Sequence, residues 1–400
     1  MGKSLQPAGS HLIFRHCRIL NHQEGMGEVG KRARQAVCRK KNHASCWRLA
    51  EKSPMANRIK ILVVDDSKLI RQAVRRIFET DGQLQVAAEA AHGQQALDLI
   101  PRVDPDVITL DVHMPVMDGI STLKRIMLQH PKPTVMLSNL TMEGATVTFD
   151  TLKFGAVDVI AKPSNLAELD AARQMQEINQ RVKLASQVQI ESIRYLRTRP
   201  NGHSVPAGNG SSCRYLVAVG AAEGGYGALL KIIPQLSAGL PAAFLVMLYA
   251  DAPYVEAFVS YLDLCSPMSI RRAVHGDPIE AGTCYIACGR EYLTVQGSRK
   301  KPRLVVNPAP FETRKGSIDM LMFSVAELFT ERALGIVLTG SGRDGVEGVG
   351  ELIRCGGQAL VQEPGSCLHK QMAQEVLSLQ PVDHSIPDAE MAAAVSAMFQ

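Results

Sequence analysis

Two α/β domains, each built on a doubly wound parallel sheet, are what this 400-residue chain predicts. Two observations carry the expectation. From Ile59 onward, short β-branched runs alternate with helix-length segments whose apolar residues recur every three or four positions, and the alternation resumes after a polar, glycine-rich break near residue 200. Strands separated by helices pair in parallel through right-handed crossovers. Hydrophobic residues at 46% and charged residues at 21% can fill two such cores and exclude a wholly disordered or fibrous chain.

The first strand is expected at Ile59 to Val64, followed by a helix whose Leu69, Ile70, Ala73, Val74, Ile77 and Phe78 share one face. Strand-like runs at Leu84 to Ala88, Val107 to Leu110, Thr134 to Leu137 and Val157 to Ala161 complete the first domain, placed at 55–180. Residues 181–212 read as a helical segment and linker, ending in Gly208-Asn209-Gly210-Ser211-Ser212. The second domain, 213–400, opens at Tyr215 to Val219 and has strand-like runs at Phe244 to Leu248, Leu304 to Val306, Gly335 to Leu338 and Gln358 to Val361.

The net charge of +5 comes from one segment: residues 1–54 hold 11 Lys/Arg against 3 Asp/Glu, while the other 346 residues carry 33 against 36. That basic segment lacks periodicity and reads as a disordered extension, or as an over-long gene model whose true start is Met55. Its Cys38, His43 and Cys46 fit no standard zinc spacing. The longest apolar run, Ala242 to Ala250, has nine residues, well short of the ~18–20 needed to span a bilayer, so no membrane insertion is expected. Nine cysteines without a Cys-x-x-Cys pair or a signal peptide imply reduced thiols and a cytoplasmic location. No helix-turn-helix signal follows the linker, so DNA is not an expected partner.

In open α/β sheets, chemistry gathers at the carboxyl ends of the strands. The first strand ends in Asp65-Asp66, the third in Asp111 and the fourth in Ser138, and the fifth is followed by Lys162. Any one of these can be a helix cap, as Asp66 or Ser67 would be before Lys68. Together, three carboxylates at one sheet edge repel one another unless a divalent cation and the lysine neutralise them. Oxygen-only ligands suit Mg²⁺ held by Asp65, Asp66 and Asp111. Asp111 is then placed to attack a phosphoryl donor, Lys162 and the metal stabilise the transferred oxygens, and Ser138 hydrogen-bonds the product.

The runs Val63-Val64-Asp65-Asp66-Ser67, Leu110-Asp111-Val112-His113-Met114-Pro115-Val116-Met117-Asp118-Gly119 and Ala161-Lys162-Pro163 closely resemble a response-regulator receiver domain, of flavodoxin-like fold. The resemblance implies phosphorylation of Asp111 by a sensor histidine kinase. Val159 departs from it, standing where the family usually has an aromatic switch residue.

Met136 to Thr141 followed by Gly144 narrows the resemblance to receivers of the chemotaxis protein-glutamate methylesterase family. The second domain is similar to the methylesterase domain of that family at Gly220-Ala221-Ala222-Glu223-Gly224-Gly225, Leu338 to Gly345, Gln362 to Cys367 and, more weakly, Gly282 to Ala287. Such enzymes use a Ser-His-Asp triad on methylated chemoreceptors. Here Ala222 stands in place of the serine, Tyr249 in place of the histidine, and Asp344 is retained. Ser341 replaces a methionine whose backbone helps bind the oxyanion.

Alanine offers no nucleophile, and a phenol of ordinary pKa near 10 is a poor general base. Ser341 and Cys288 are the candidates for a relocated nucleophile, neither with an evident histidine. The expectation is therefore a regulator whose second domain binds chemoreceptors or kinase without competent ester hydrolysis. The alternative is an active, phosphorylation-gated methylesterase and glutamine deamidase. Glycines of the Ala222 loop have a structural reading as turn and packing residues, as does Asp344 as a turn or cap residue.

Overall fold

β1 (Ile59–Val64), β2 (Leu84–Ala90), β3 (Val107–Asp111), β4 (Thr134–Ser138) and β5 (Asp158–Ala161) pair in parallel in the order β2-β1-β3-β4-β5. The computed structural model describes residues 58–139, 142–163, 171–190, 213–309, 316–382 and 385–399. The basic segment with its Cys38, His43 and Cys46, and the linker from residue 191 to 212, lie outside them. Every residue of β3 and β4 is buried, as a central strand covered on both faces requires.

The helices are α1 (Lys68–Glu79), α2 (Gly93–Val103), α3 (Gly119–Gln129), α4 (Met142–Lys153) and α5 (Ala171–Ala185). Of the two caps weighed for α1, Ser67 is the one used: its Oγ accepts from the Ile70 N–H at 3.4 Å. Asp118 caps α3 through the Ser121 N–H at 2.7 Å. A Cβ on Gly119 would lie 2.1 Å from the Asp111 carbonyl oxygen, so only glycine lets α3 start hard against the strand end that carries Asp111.

The second sheet contains β6 (Tyr215–Ala221), β7 (Ala242–Leu248), β8 (Ser269–Arg272), β9 (Thr283–Cys288), β12 (Ala333–Val337), β13 (Gln358–Gln362) and β14 (Ser385–Ile386). All its pairings are parallel, in the order β14-β13-β12-β6-β7-β9-β8. Around it lie α6 (Gly225–Ile232), α7 (Ala252–Cys265), α8 (Ser317–Phe329), α9 (Val346–Arg354), α10 (Gln371–Leu379) and α11 (Asp388–Ala397). The run Leu304 to Val306 belongs to neither parallel sheet. It falls in β11 (Lys301–Pro308), which forms an antiparallel hairpin with β10 (Glu291–Ser298). Only Arg299 and Lys300 separate these strands, too short a connection for a parallel crossover.

The sheets do not hang independently on a tether. Apolar residues of both form one contiguous core. At its centre Phe149 of α4 is fully buried, with ring centroids 5.2 Å from Tyr226 of α6, and 5.1 and 5.6 Å from Phe258 and Tyr261 of α7. Tyr261 Oη donates to Asp150 Oδ1 at 2.6 Å, and Lys153 Nζ lies 4.8 Å from the Tyr261 ring centroid. Truncating a ring packed on three others leaves a cavity that neighbours cannot fill. Phe149→Ala should therefore cost about 3–5 kcal/mol in urea denaturation. Leu128→Ala, at a site 78% exposed on α3, should change stability by no more than about 0.5 kcal/mol.

Candidate functional site

Parallel pairing of β1, β3, β4 and β5 brings the ends of four strands to one sheet edge. Asp65 follows β1, Asp111 and Ser138 end β3 and β4, and Lys162 follows β5. Carboxylate oxygens of Asp65, Asp66 and Asp111 lie within 4.8 Å of one another, with Asp65 and Asp111 buried and Asp66 exposed. Lys162 Nζ bridges Asp65 Oδ2 at 2.8 Å and Asp111 Oδ2 at 2.9 Å. Asp65 Oδ1 accepts from the Ser67 N–H, and Asp111 Oδ1 from the Val112 N–H at 2.7 Å. Ser138 Oγ lies 3.0 Å from Thr148 Oγ1.

Burial raises the Asp111 pKa above its ordinary value even though Lys162 pulls it down. Burial works the other way on Lys162, yet its hydrogen bonds to the two aspartates hold its pKa above the usual lysine range. One ammonium faces three carboxyl groups, and the excess negative charge with an all-oxygen donor set suits a hard divalent cation.

In the second domain the equivalent edge holds Ala222 after β6, Tyr249 after β7 and Asp344 in the loop after β12. Ala222 and Tyr249 are both buried and line one narrow cleft of about 70 Å³. Tyr249 Oη donates to Asp344 Oδ2 and accepts from the Ser317 N–H at 3.3 Å. Asp344 Oδ2 also accepts from the Ile318 N–H at 3.1 Å, and Oδ1 from the Asp319 N–H at 3.0 Å. Asp344 thus caps the first turn of α8 from another loop, because α8 starts at Gly316, which has no side chain to cap it. Burial, then the Asp344 charge, push the Tyr249 phenol far above its ordinary pKa.

The loop between Ala222 and α6 depends on Gly224, whose φ of +82° is the left-handed conformation. Ser341 Oγ donates to Glu223 Oε1 at 3.0 Å. Cys288 is buried and its thiol pKa is raised by desolvation. Among the described residues, no histidine hydrogen-bonds Ser341 or Cys288.

Two carboxylates at this edge carry no role in the sequence reading. Glu223 follows Ala222 directly, and a charged residue among alanines and glycines of a tight turn is the signal that could have marked it. Asp319 sits in the first turn of α8, where its Oδ1 accepts from the Gly345 N–H at 2.9 Å and the Gly348 N–H at 2.7 Å. An acidic residue in a first turn was its signal.

The cleft is closed on its other side by the first domain. Its lining includes Val159 and Ile160 of β5 and Glu177 and Arg181 of α5, facing Ala222, Glu223, Tyr226 and Tyr254. Arg181 grips Asp158 with two bonds of 2.7 Å and donates to the Val159 carbonyl at 2.9 Å.

The fold and the first site define a two-domain response regulator: a receiver followed by a second α/β domain. Residues 61–174 match the model of the response regulator receiver domain, and residues 217–395 that of the CheB methylesterase. The protein-glutamate methylesterase/protein-glutamine glutaminase of Pyrococcus horikoshii is 34% identical over 342 residues, covering 83% of this chain and 91% of the relative. A relative of the same name, numbered 2, from Nitratidesulfovibrio vulgaris is 34% identical over 365 residues, covering 84% and 98%. The crystal structure of the Thermotoga maritima CheB methylesterase catalytic domain matches 46% of this chain and 98% of its own length at 22% identity and a TM-score of 0.44. The Thermotoga maritima CheB response regulator domain matches 33% and 98% at 36% identity and a TM-score of 0.30. The chain belongs to the protein-glutamate methylesterase/protein-glutamine glutaminase family.

Asp319 gives a pH test of the second site. Burial, reinforced by the Asp344 charge and opposed by two N–H donors, pushes its carboxyl from 3.8 up to about 6. A carboxyl with a raised folded pKa binds its proton more tightly in the folded chain. Its contribution is fully present below about pH 4 and is lost as pH rises through about 6. Asp319→Asn keeps the Oδ1 acceptor and removes the titration. Denaturant melts of the variant should show a smaller loss of stability between pH 4 and 7 than the parent chain, and equal slopes would exclude the effect.

Proposed function

We propose that this chain is a phosphorelay response regulator of the chemotaxis protein-glutamate methylesterase type. It takes a phosphoryl group on Asp111 from a sensor histidine kinase, in the cytoplasm. Its second domain engages chemoreceptor cytoplasmic domains or kinase without competent ester hydrolysis. A carboxylate oxygen of Asp111 attacks the phosphorus as the P–N bond to the kinase's phosphohistidine breaks and the imidazole leaves, while Lys162 balances charge on the phosphoryl oxygens and Ser138 donates to the product. Mg²⁺ held by Asp65, Asp66 and Asp111 would let the anionic nucleophile and donor approach.

The loss of hydrolysis rests on one observation: the Tyr249 hydroxyl is spent on Asp344 beside an alanine. A phenol that donates its proton to a carboxylate, with its pKa raised, cannot take a proton from a nucleophile, and Ala222 has none to give. The active-enzyme reading draws on the relatives' names and on the presence of Asp344. Capping of α8 accounts for that aspartate without catalysis.

Incubated with a small phosphodonor and Mg²⁺, the chain should form an acyl phosphate that is absent in Asp111→Asn and in EDTA; undiminished label in either would overturn the assignment. On methyl-labelled receptor, methanol release should fall about 10⁶-fold below a competent relative, the scale of losing a triad serine and histidine. Robust release abolished by Ser341→Ala or Cys288→Ala would instead show a relocated nucleophile.

A further inference from the structure

The Ala222 loop is stitched to the loop after β12. The Ala222 N–H donates to the Thr339 carbonyl at 2.9 Å, and Thr339 Oγ1 donates to the Glu223 carbonyl at 2.7 Å. The two backbones run so close that a Cβ on Gly340 would lie 2.7 Å from the Ala222 Cβ. A pair of donors, the Ser341 N–H and hydroxyl, therefore faces the residue that follows Ala222. A main-chain N–H from a loop neighbouring the nucleophile is one of the donors with which hydrolases of several folds hold a developing oxyanion.

Here the pair is already occupied. The Ser341 N–H donates to Glu223 Oε2 at 2.8 Å and the Ser341 hydroxyl donates to Oε1 at 3.0 Å. We infer that the second domain retains an anion-binding site beside Ala222 and that the Glu223 carboxylate fills it as an internal ligand. The inference rests on the reading of Ala222 as the former nucleophile position.

The chemistry of the occupant defines the ligand class. A glutamate side-chain carboxylate is what hydrolysis of a glutamyl methyl ester or deamidation of glutamine leaves behind. Glu223 thus sits as a built-in copy of the product. An external glutamyl carboxylate would have to displace it, and a tetrahedral oxyanion finds its donors taken. Those donors are satisfied in the resting chain, which removes the cost of leaving them unpaired in a part-buried seam.

The test uses the full chain, with acetate as probe, and reads the amide proton of Ser341 by nuclear magnetic resonance. A backbone N–H bonded to a carboxylate resonates downfield. Glu223→Gln and Glu223→Ala should both move the Ser341 amide upfield. Acetate should return it downfield in Glu223→Ala, with at least tenfold tighter apparent binding than in the parent chain. A Ser341 amide indifferent to both substitutions would overturn the inference, and so would movement that acetate does not reverse. If Glu223→Ala does not fold, acetate is titrated against Glu223→Gly. Methanol release by the parent chain is a separate measurement, so an active enzyme would sink the proposed function while leaving the state of the Ser341 amide to be read independently.

Discussion

A carboxylate at the end of a buried parallel strand must be met by donors, and the way it is met separates the two halves of this chain. At the first sheet edge three carboxyl groups share one ammonium, Lys162, so negative charge is left over. That site is electrostatically incomplete, and an uncompensated all-oxygen donor set suits a hard cation. At the second edge the balance is reversed. Asp344 takes two backbone N–H groups and a phenol, Glu223 takes N–H and O–H donors from Ser341, and Asp319 takes two more N–H groups. These carboxylates are satisfied by the fold itself.

The persistence of family motifs in the second domain follows from this internal satisfaction. Gly224 is needed for its positive φ whether or not a serine precedes it. Asp344 is needed because α8 begins with Gly316 and has no cap of its own. The Tyr249 phenol keeps a donor on Asp344, so this acceptor is not orphaned. The same atoms that make up a motif also hold backbone together, which is why fold-level likeness alone does not assign activity.

The interface sets an energetic constraint on any separation of the two domains. Phe149, Tyr226, Phe258 and Tyr261 are all buried where the domains meet. Fully exposing a large apolar side chain costs about 1.5–3 kcal/mol, whereas coupling between two sites typically supplies about 1–3 kcal/mol in total. Separating the domains outright would work against several such rings at once. The polar side of the interface is better placed to respond: Arg181 ties β5, whose end precedes Lys162, to the cleft that holds Ala222 and Tyr249.

How far the sequence could be read follows the range of the interactions. Strand-end residues Asp65, Asp111, Ser138 and Lys162 were legible because each is marked by the strand before it, and parallel pairing alone brings them together. β9 was passed over as a strand because Thr283 to Cys288 mixes small and apolar residues without alternation, as a fully buried strand does. Glu223 and Ser341 stand 118 positions apart, and Asp319 and Asp344 stand 25 apart. No local periodicity encodes such pairs. The Phe149 cluster joins α4 to α6 and α7 across a stretch that reads only as a linker, so the shared core had no signature along the chain. What a sequence marks most clearly here is a site left unsatisfied, since its residues are the polar ones no local element explains. The second edge is written in contacts between distant loops, where a single glutamate after an alanine looks like nothing until Ser341 is seen beside it.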